Sequence, residues 1–164
     1  MIIKLERVEV QSRKDLEMID ITGHVERVVR DSGATGGLAL VMTTHTSSGL
    51  LVTEGIECLE RDVLAHLELL APKEPPPGAS GYWHNRPLDF DGRLGFNAGD
   101  HLKSILGGIH CYFPIENGKL VRGTRQRVYF VEYDGPLART VVIQVIGEHV
   151  TAETSGCAAT PDAG

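Results

Sequence analysis

The sequence is poor in cysteine, in clustered basic charge and in long apolar runs, and each scarcity removes a class of protein. Its three cysteines, Cys58, Cys111 and Cys157, are odd in number and widely spaced. They fit neither a disulfide framework nor a CxxC metal site, and they point to a reducing, cytoplasmic setting. The net charge is −6, with acidic and basic residues interspersed. There is accordingly no basic stripe for nucleic acid and no polybasic patch for a membrane surface. No apolar run approaches the ~18 residues of a membrane span. The opening Met1-Ile2-Ile3-Lys4-Leu5-Glu6 reaches charge too early for a secretory leader. Internal repeats and an HExxH spacing are also absent.

What is present is globular material: 164 residues, 41% hydrophobic and 23% charged, fit one domain able to bury a core without staples. Residues 1–149 form that domain; beyond Glu148 the composition falls to Thr, Ala, Ser and Gly, so residues 150–164 read as a tail. Alternation predicts strands over residues 2–10, 16–21, 38–44 and 50–52, the last delivering Glu54 to its end. Thr22 is the expected N-cap of a short helix with Val25, Val28 and Val29 on one stripe, closed by Ser32-Gly33. Ile56, Leu59, Val63, Leu67 and Leu70 recur at steps of three and four and mark the clearest helix, which Pro72 stops. An irregular stretch to about Gly95 carries Tyr82-Trp83-His84-Asn85-Arg86, with the only tryptophan. Asn97 then reads as an N-cap and Asp100 as its capping-box partner, which puts His101 in the first turns of a helix ended by Gly107-Gly108. Residues 109–115, 119–121, 127–133 and 139–146 read as strands, with Asn117-Gly118 as a hairpin turn.

Chemistry concentrates at Thr43-Thr44-His45-Thr46-Ser47-Ser48-Gly49, where a histidine stands among five hydroxyls at a strand end. Two readings hold for it: a displayed site, or a Ser/Thr-rich turn whose hydroxyls satisfy local backbone. His45, His84 and His101 stand at a strand end, in a long loop and at a helix start; three imidazoles leaving one position open suit a catalytic zinc or similar divalent ion. Glu54 is either a proton relay beside such a site or an acid favouring the positive end of the following helix. Gly123-Thr124-Arg125-Gln126 offers a hydroxyl, a guanidinium and flexible backbone for a phosphate, or is a plain strand-entry bulge.

Taken in order, His-Thr-Ser-Ser-Gly with a later Glu, Tyr-x-His, Asn-Ala-x-x-His-Leu-Lys, Ile-Glu-Asn-Gly-Lys-Leu, Gly-Thr-x-Gln and Glu-Tyr-Asp-Gly-Pro resemble the YjbQ family over about residues 5–148. The resemblance implies an α+β fold with a β-sandwich-like core of mostly antiparallel strands and two to three helices, assembled as a homotrimer. It implies weak thiamine-phosphate synthase-type transfer, in which a pyrimidine diphosphate and a thiazole phosphate join with loss of diphosphate. By position, His45, Glu54, His84, Asn97, His101, Thr124 and Gln126 match the family's recurrent polar set. Arg125 stands where the family usually carries tryptophan, and the segment 107–114 is about one residue longer than the family pattern.

The combined expectation is an enzyme with a divalent ion, zinc or alternatively magnesium, on His45, His84 and His101. Glu54 and His45 are its catalytic candidates, and Thr46, Ser47, Ser48, Asn97, Thr124, Arg125 and Gln126 hold a phosphorylated small substrate. The alternative is a non-catalytic trimer that binds a small phosphorylated metabolite through the same residues.

Overall fold

Alternating apolar and polar side chains make the opening segment a strand, and it pairs along its whole length with the last one. In the computed structural model, which describes residues 1–75, 77–79, 81–85 and 96–149, β1 (Ile2–Gln11) runs antiparallel to β8 (Ala138–Glu148). β8 also pairs with β3 (Gly36–Thr43), which pairs with β5 (His110–Glu116) and through it with β6 (Lys119–Leu120). The result is a five-stranded sheet in the order β1-β8-β3-β5-β6. A second sheet sets β7 (Gln126–Glu132) between β2 (Glu17–Asp20) and β4 (Ser48–Glu54), again antiparallel.

The main core lies between the sheets and under α1 (Thr22–Ser32). Val41, Phe113, Val141 and Ile143 face it from the large sheet, Leu50, Val128 and Phe130 from the small one, and Val25, Val28 and Val29 from α1. The other face of the small sheet, with Tyr129, Val131 and Tyr133, packs on Leu67, Val63 and Leu64 of α2 (Glu57–Leu70). β7 is therefore buried on both faces, which explains its near-continuous apolar run. α3 (Ala98–Gly107) lies against β4 and α2. The fold is thus α+β, with two antiparallel sheets facing each other and three α-helices among the described residues. No helix among the described residues is long and apolar enough to cross a membrane.

Periodicity placed the elements; tertiary contacts altered their ends. β4 covers seven residues rather than the expected three, so Ser48 opens the strand and Glu54 closes it. Thr22 is the first helical residue rather than the cap: its amide donates to Asp20 Oδ1 at 2.8 Å and its hydroxyl accepts the β7 amide of Val128 at 2.9 Å. The Asn117-Gly118 turn is confirmed, with positive φ of 50° and 75° at its two central positions, as a type I′ hairpin requires. The expected tail, residues 150–164 with Cys157, and residues 86–95 of the expected loop, with Arg86, lie outside the described residues.

The large sheet keeps an apolar outer face. Ile3, Ile146 and Leu38 lie in one cross-strand row and Leu5 and Tyr112 in the next, all exposed. Cys111 sits on the opposite face against the core, and its burial pushes the thiol up to about 11, whereas Cys58 on α2 is exposed. Alkylation needs the thiolate. With iodoacetamide near pH 8, peptide mapping should show Cys111 modified roughly a hundredfold more slowly than Cys58 in the native protein, and the two alike after denaturation.

Candidate functional site

The hydroxyl-rich loop between β3 and β4 divides into two kinds of residue. Ser47 and Ser48 are buried, and with Thr43 they hold the turn together: Thr43 Oγ1 and Ser48 Oγ share a hydrogen bond of 2.7 Å, and Ser47 Oγ accepts from Arg139 at 3.1 Å. For these the turn reading is the correct one, and they are not part of an open cradle. Thr46 is exposed, and its carbonyl accepts from His101 Nδ1 at 2.8 Å. Its side chain lines a pocket of about 450 Å³ with Tyr82, Trp83, His84, Ala98, His101 and Leu102.

His84 and His101 come together at this pocket, their ring centroids 5.1 Å apart and their planes nearly perpendicular. Asn97 heads α3, but its side chain makes no cap. It bridges instead: Nδ2 donates to Asp134 Oδ2 at 2.7 Å, and Oδ1 lies 3.2 Å from His84 Nε2. The capping work passes to Asn85, whose Oδ1 accepts the Ala98 amide at 3.1 Å.

These partners fix the tautomers. A carboxylate only accepts, so the Asn97 amide turns its NH₂ to Asp134 and its oxygen to His84, whose Nε2 must therefore carry the proton. The Thr46 carbonyl likewise requires a proton on His101 Nδ1. In their neutral forms the two rings keep a lone pair each, on Nδ1 of His84 and Nε2 of His101. This is the outer-shell orientation typical of ligating histidines.

His45 does not join them. Its Nε2 accepts the backbone amide of Thr140 at 3.1 Å, which commits that lone pair to β8. Among the described residues, no three His, Cys, Asp or Glu side chains gather so as to hold a metal ion. The expected three-histidine set thus forms only as a pair within one protomer.

The remaining expected residues lie at the other end of β4. Glu54, paired in register with Gln126, receives Arg125 Nη1 at 2.9 Å. Gln126 Oε1 accepts the Gly123 amide at 2.8 Å, and Thr124 faces a different cleft. Seven strand residues separate the two ends by roughly 20 Å, too far for Glu54 to exchange a proton with His84 or His101 of its own chain.

Sequence reasoning missed the ionic layer beneath the pocket. Glu132, fully buried, takes a bidentate pair of 2.7 Å bonds from Arg139 and accepts the Asp134 amide at 3.0 Å. Asp100, read from the sequence as a capping partner, is instead buried, with Lys103 Nζ at 3.1 Å from Oδ1, and its Oδ2 makes no hydrogen bond. Burial raises its carboxyl above the ordinary range, although Lys103 and Lys73 work against that. Lys103, itself buried, also meets Glu68 at 2.8 Å, and Lys73 joins Asp15 at 2.7 Å with Asp134 at 3.9 Å. Burial opposes the Lys73 charge, but Asp15, Asp100 and Asp134 together raise its pKa. The sequence carries no distinctive signal of this layer, because its charged residues are scattered over separate elements.

Comparison with known proteins adds context to this geometry. The family described as UPF0047 protein YjbQ-like matches residues 6–148. A UPF0047 protein of Archaeoglobus fulgidus is 39% identical over 137 residues, 84% of this chain and 97% of its own. YugU of Bacillus subtilis is 32% identical over 144 residues, 87% and 99% of the two chains. Among solved structures, a YbjQ-like protein of unknown function from Sulfolobus solfataricus superposes with a TM-score of 0.78 at 28% identity, covering 89% and 98%. A YjbQ/UPF0047 protein of Clostridium acetobutylicum gives 0.74 at 33%, covering 86% and 99%.

Removing one partner of a buried ion pair leaves an uncompensated charge. Glu132→Gln should cost about 3–5 kcal/mol in urea unfolding, whereas Glu132→Leu with Arg139→Met should recover much of that stability.

Proposed function

The chain belongs to the YjbQ-like UPF0047 family, and on that premise we propose a metal-assisted transferase of the thiamine-phosphate synthase type, acting on phosphorylated small molecules at the pocket of His84 and His101. The observation that supports this most is the orientation of the two rings. Asn97 and Thr46 each take one ring proton and leave one lone pair free, on rings 5.1 Å apart. Imidazole donors favour zinc over magnesium, which prefers oxygen. Such an ion would offset negative charge on a departing diphosphate. Tyr82 and Trp83 offer aromatic faces to a heterocycle, while Ala98 and Leu102 exclude water from one side of the pocket.

A catalytic zinc usually takes three protein ligands, and one protomer supplies two here. We infer that a second copy supplies the third, within a homotrimer. The exposed apolar outer face of the large sheet supports assembly. Glu54 serves as the proton relay in this scheme only if assembly brings the far end of a neighbouring β4 to the pocket. The second reading, a non-catalytic trimer that binds a phosphorylated metabolite, is favoured by the ion pair that holds Glu54 to Arg125, away from the histidines.

Metal analysis of protein purified without chelator tests the assignment. His84→Ala and His101→Ala should lose the bound ion, while His45→Ala should keep it and lose about 1–3 kcal/mol of stability through the orphaned Thr140 amide. Equal metal content in wild type and His101→Ala removes the ion from this pocket. Diphosphate release from the pyrimidine and thiazole precursors, abolished in His101→Ala, favours the enzyme; retained binding without product at any metal concentration favours the binding protein.

A further inference from the structure

We propose that the cleft between α1 and the segment from β6 to β7 is a second small-molecule site, which takes a phosphate-bearing metabolite with an apolar body. It encloses about 610 Å³, against about 450 Å³ for the histidine pocket, and lies within the size range of small-ligand sites. It stands apart from that pocket, because its Thr124 belongs to the loop that enters β7 opposite the far end of β4. It does not depend on the transferase reading.

Charge carries the argument. The whole chain is at −6, yet this cleft is lined by Arg30, Lys119 and Arg122 against the single carboxylate of Glu26. Arg122 is fixed in place: Nε and Nη2 donate to Glu26 Oε1 at 3.1 and 2.6 Å, and Nη1 donates to the carbonyls of Gly123 and Gln126 at 3.2 and 2.8 Å. That arrangement neutralises Glu26 and pre-organises the wall. Among the described residues Arg30 pairs only with Asp31, at 3.5 Å, and no carboxylate pairs with Lys119. Arg30 lies in the last turn of α1, where the negative end of the helix offsets part of its charge. With Arg122 balanced by Glu26, the surplus in the lining comes from Arg30 and Lys119, which leaves the lining short of two negative charges, Asp31 offsetting part of the Arg30 charge. A phosphomonoester dianion matches that deficit and a single carboxylate does not. Val29 and Leu120 provide an apolar base, and the Thr124 hydroxyl a further donor. In a chain with a net charge of −6, a concave lining with surplus positive charge attracts anions.

Phenyl phosphate is the test probe, followed by calorimetric titration at low ionic strength. Wild-type protein should bind it saturably, and the double variant Arg30→Gln with Lys119→Gln should bind at least roughly tenfold more weakly. The double variant Arg13→Gln with Lys14→Gln, which removes the same charge at exposed residues outside the cleft, should bind as wild type does. Benzoate, with one charge, should bind more weakly than phenyl phosphate. The proposal is overturned if wild type shows no saturable binding, if the Arg30 and Lys119 double variant keeps full affinity, if the Arg13 and Lys14 double variant loses as much, or if benzoate binds as tightly.

Discussion

The buried pair of Glu132 and Arg139 is the constraint on which the histidine pocket rests. It joins β7 to β8 where the two sheets meet, reaches the β3–β4 loop through Ser47, and orients the backbone of Asp134. Stability alone does not account for it, since apolar side chains of similar volume in such places are commonly neutral or better by ~1–4 kcal/mol. What apolar residues cannot supply is a fixed acceptor for the Asp134 amide and a donor for Ser47. From Asp134 the order passes to Asn97, and from Asn97 to His84. The ring of a half-open pocket is thereby tied to a buried part of the core, which is what a positioned ligand or base requires.

β4 sets the second constraint, one of distance. It is seven residues long and held by β7 along its length, so the hydroxyl loop at its start and Glu54 at its end cannot converge within one chain. A site drawing on both ends is necessarily a site between copies. The sheet also leaves Ile3, Leu5, Leu38, Tyr112 and Ile146 uncovered. The two features arise from unrelated parts of the sequence.

Local rules made much of the fold legible. β1, α2 and the Asn117-Gly118 hairpin each follow from periodicity or turn chemistry contained within a few residues. The errors came where a residue had a distant partner. Asn97 and Asp100 satisfy the capping pattern perfectly well as sequence, but Asp134 lies 37 positions from Asn97 and outcompetes the local amides. His45 looked like a ligand because its partner, the Thr140 amide, is 95 positions away. Reading β4 as three residues rather than seven had a larger effect, because it placed Glu54 beside the hydroxyls that a full strand sets at its opposite end. The buried ionic layer left almost no trace, since charged residues in a mixed sequence are assigned to solvent by default.

Electrostatics then assigns different roles to the two concave regions. Beneath the histidine pocket, the network described above counts five carboxylates, on Asp15, Glu68, Asp100, Glu132 and Asp134, against three cations, on Lys73, Lys103 and Arg139. Burial lowers this excess by pushing Asp100 toward its neutral form, but it does not reverse the sign. A bare phosphate approaching His84 and His101 therefore meets unfavourable ground, whereas a cation meets favourable ground. Any phosphorylated substrate in that pocket needs a positive charge brought in from outside the network, and two free imidazole lone pairs are a means of holding one. The cleft beside α1 has the opposite balance and can take an anion unaided. The same acidic chain thus offers one place that favours a cation and one that favours an anion, a strand's length apart.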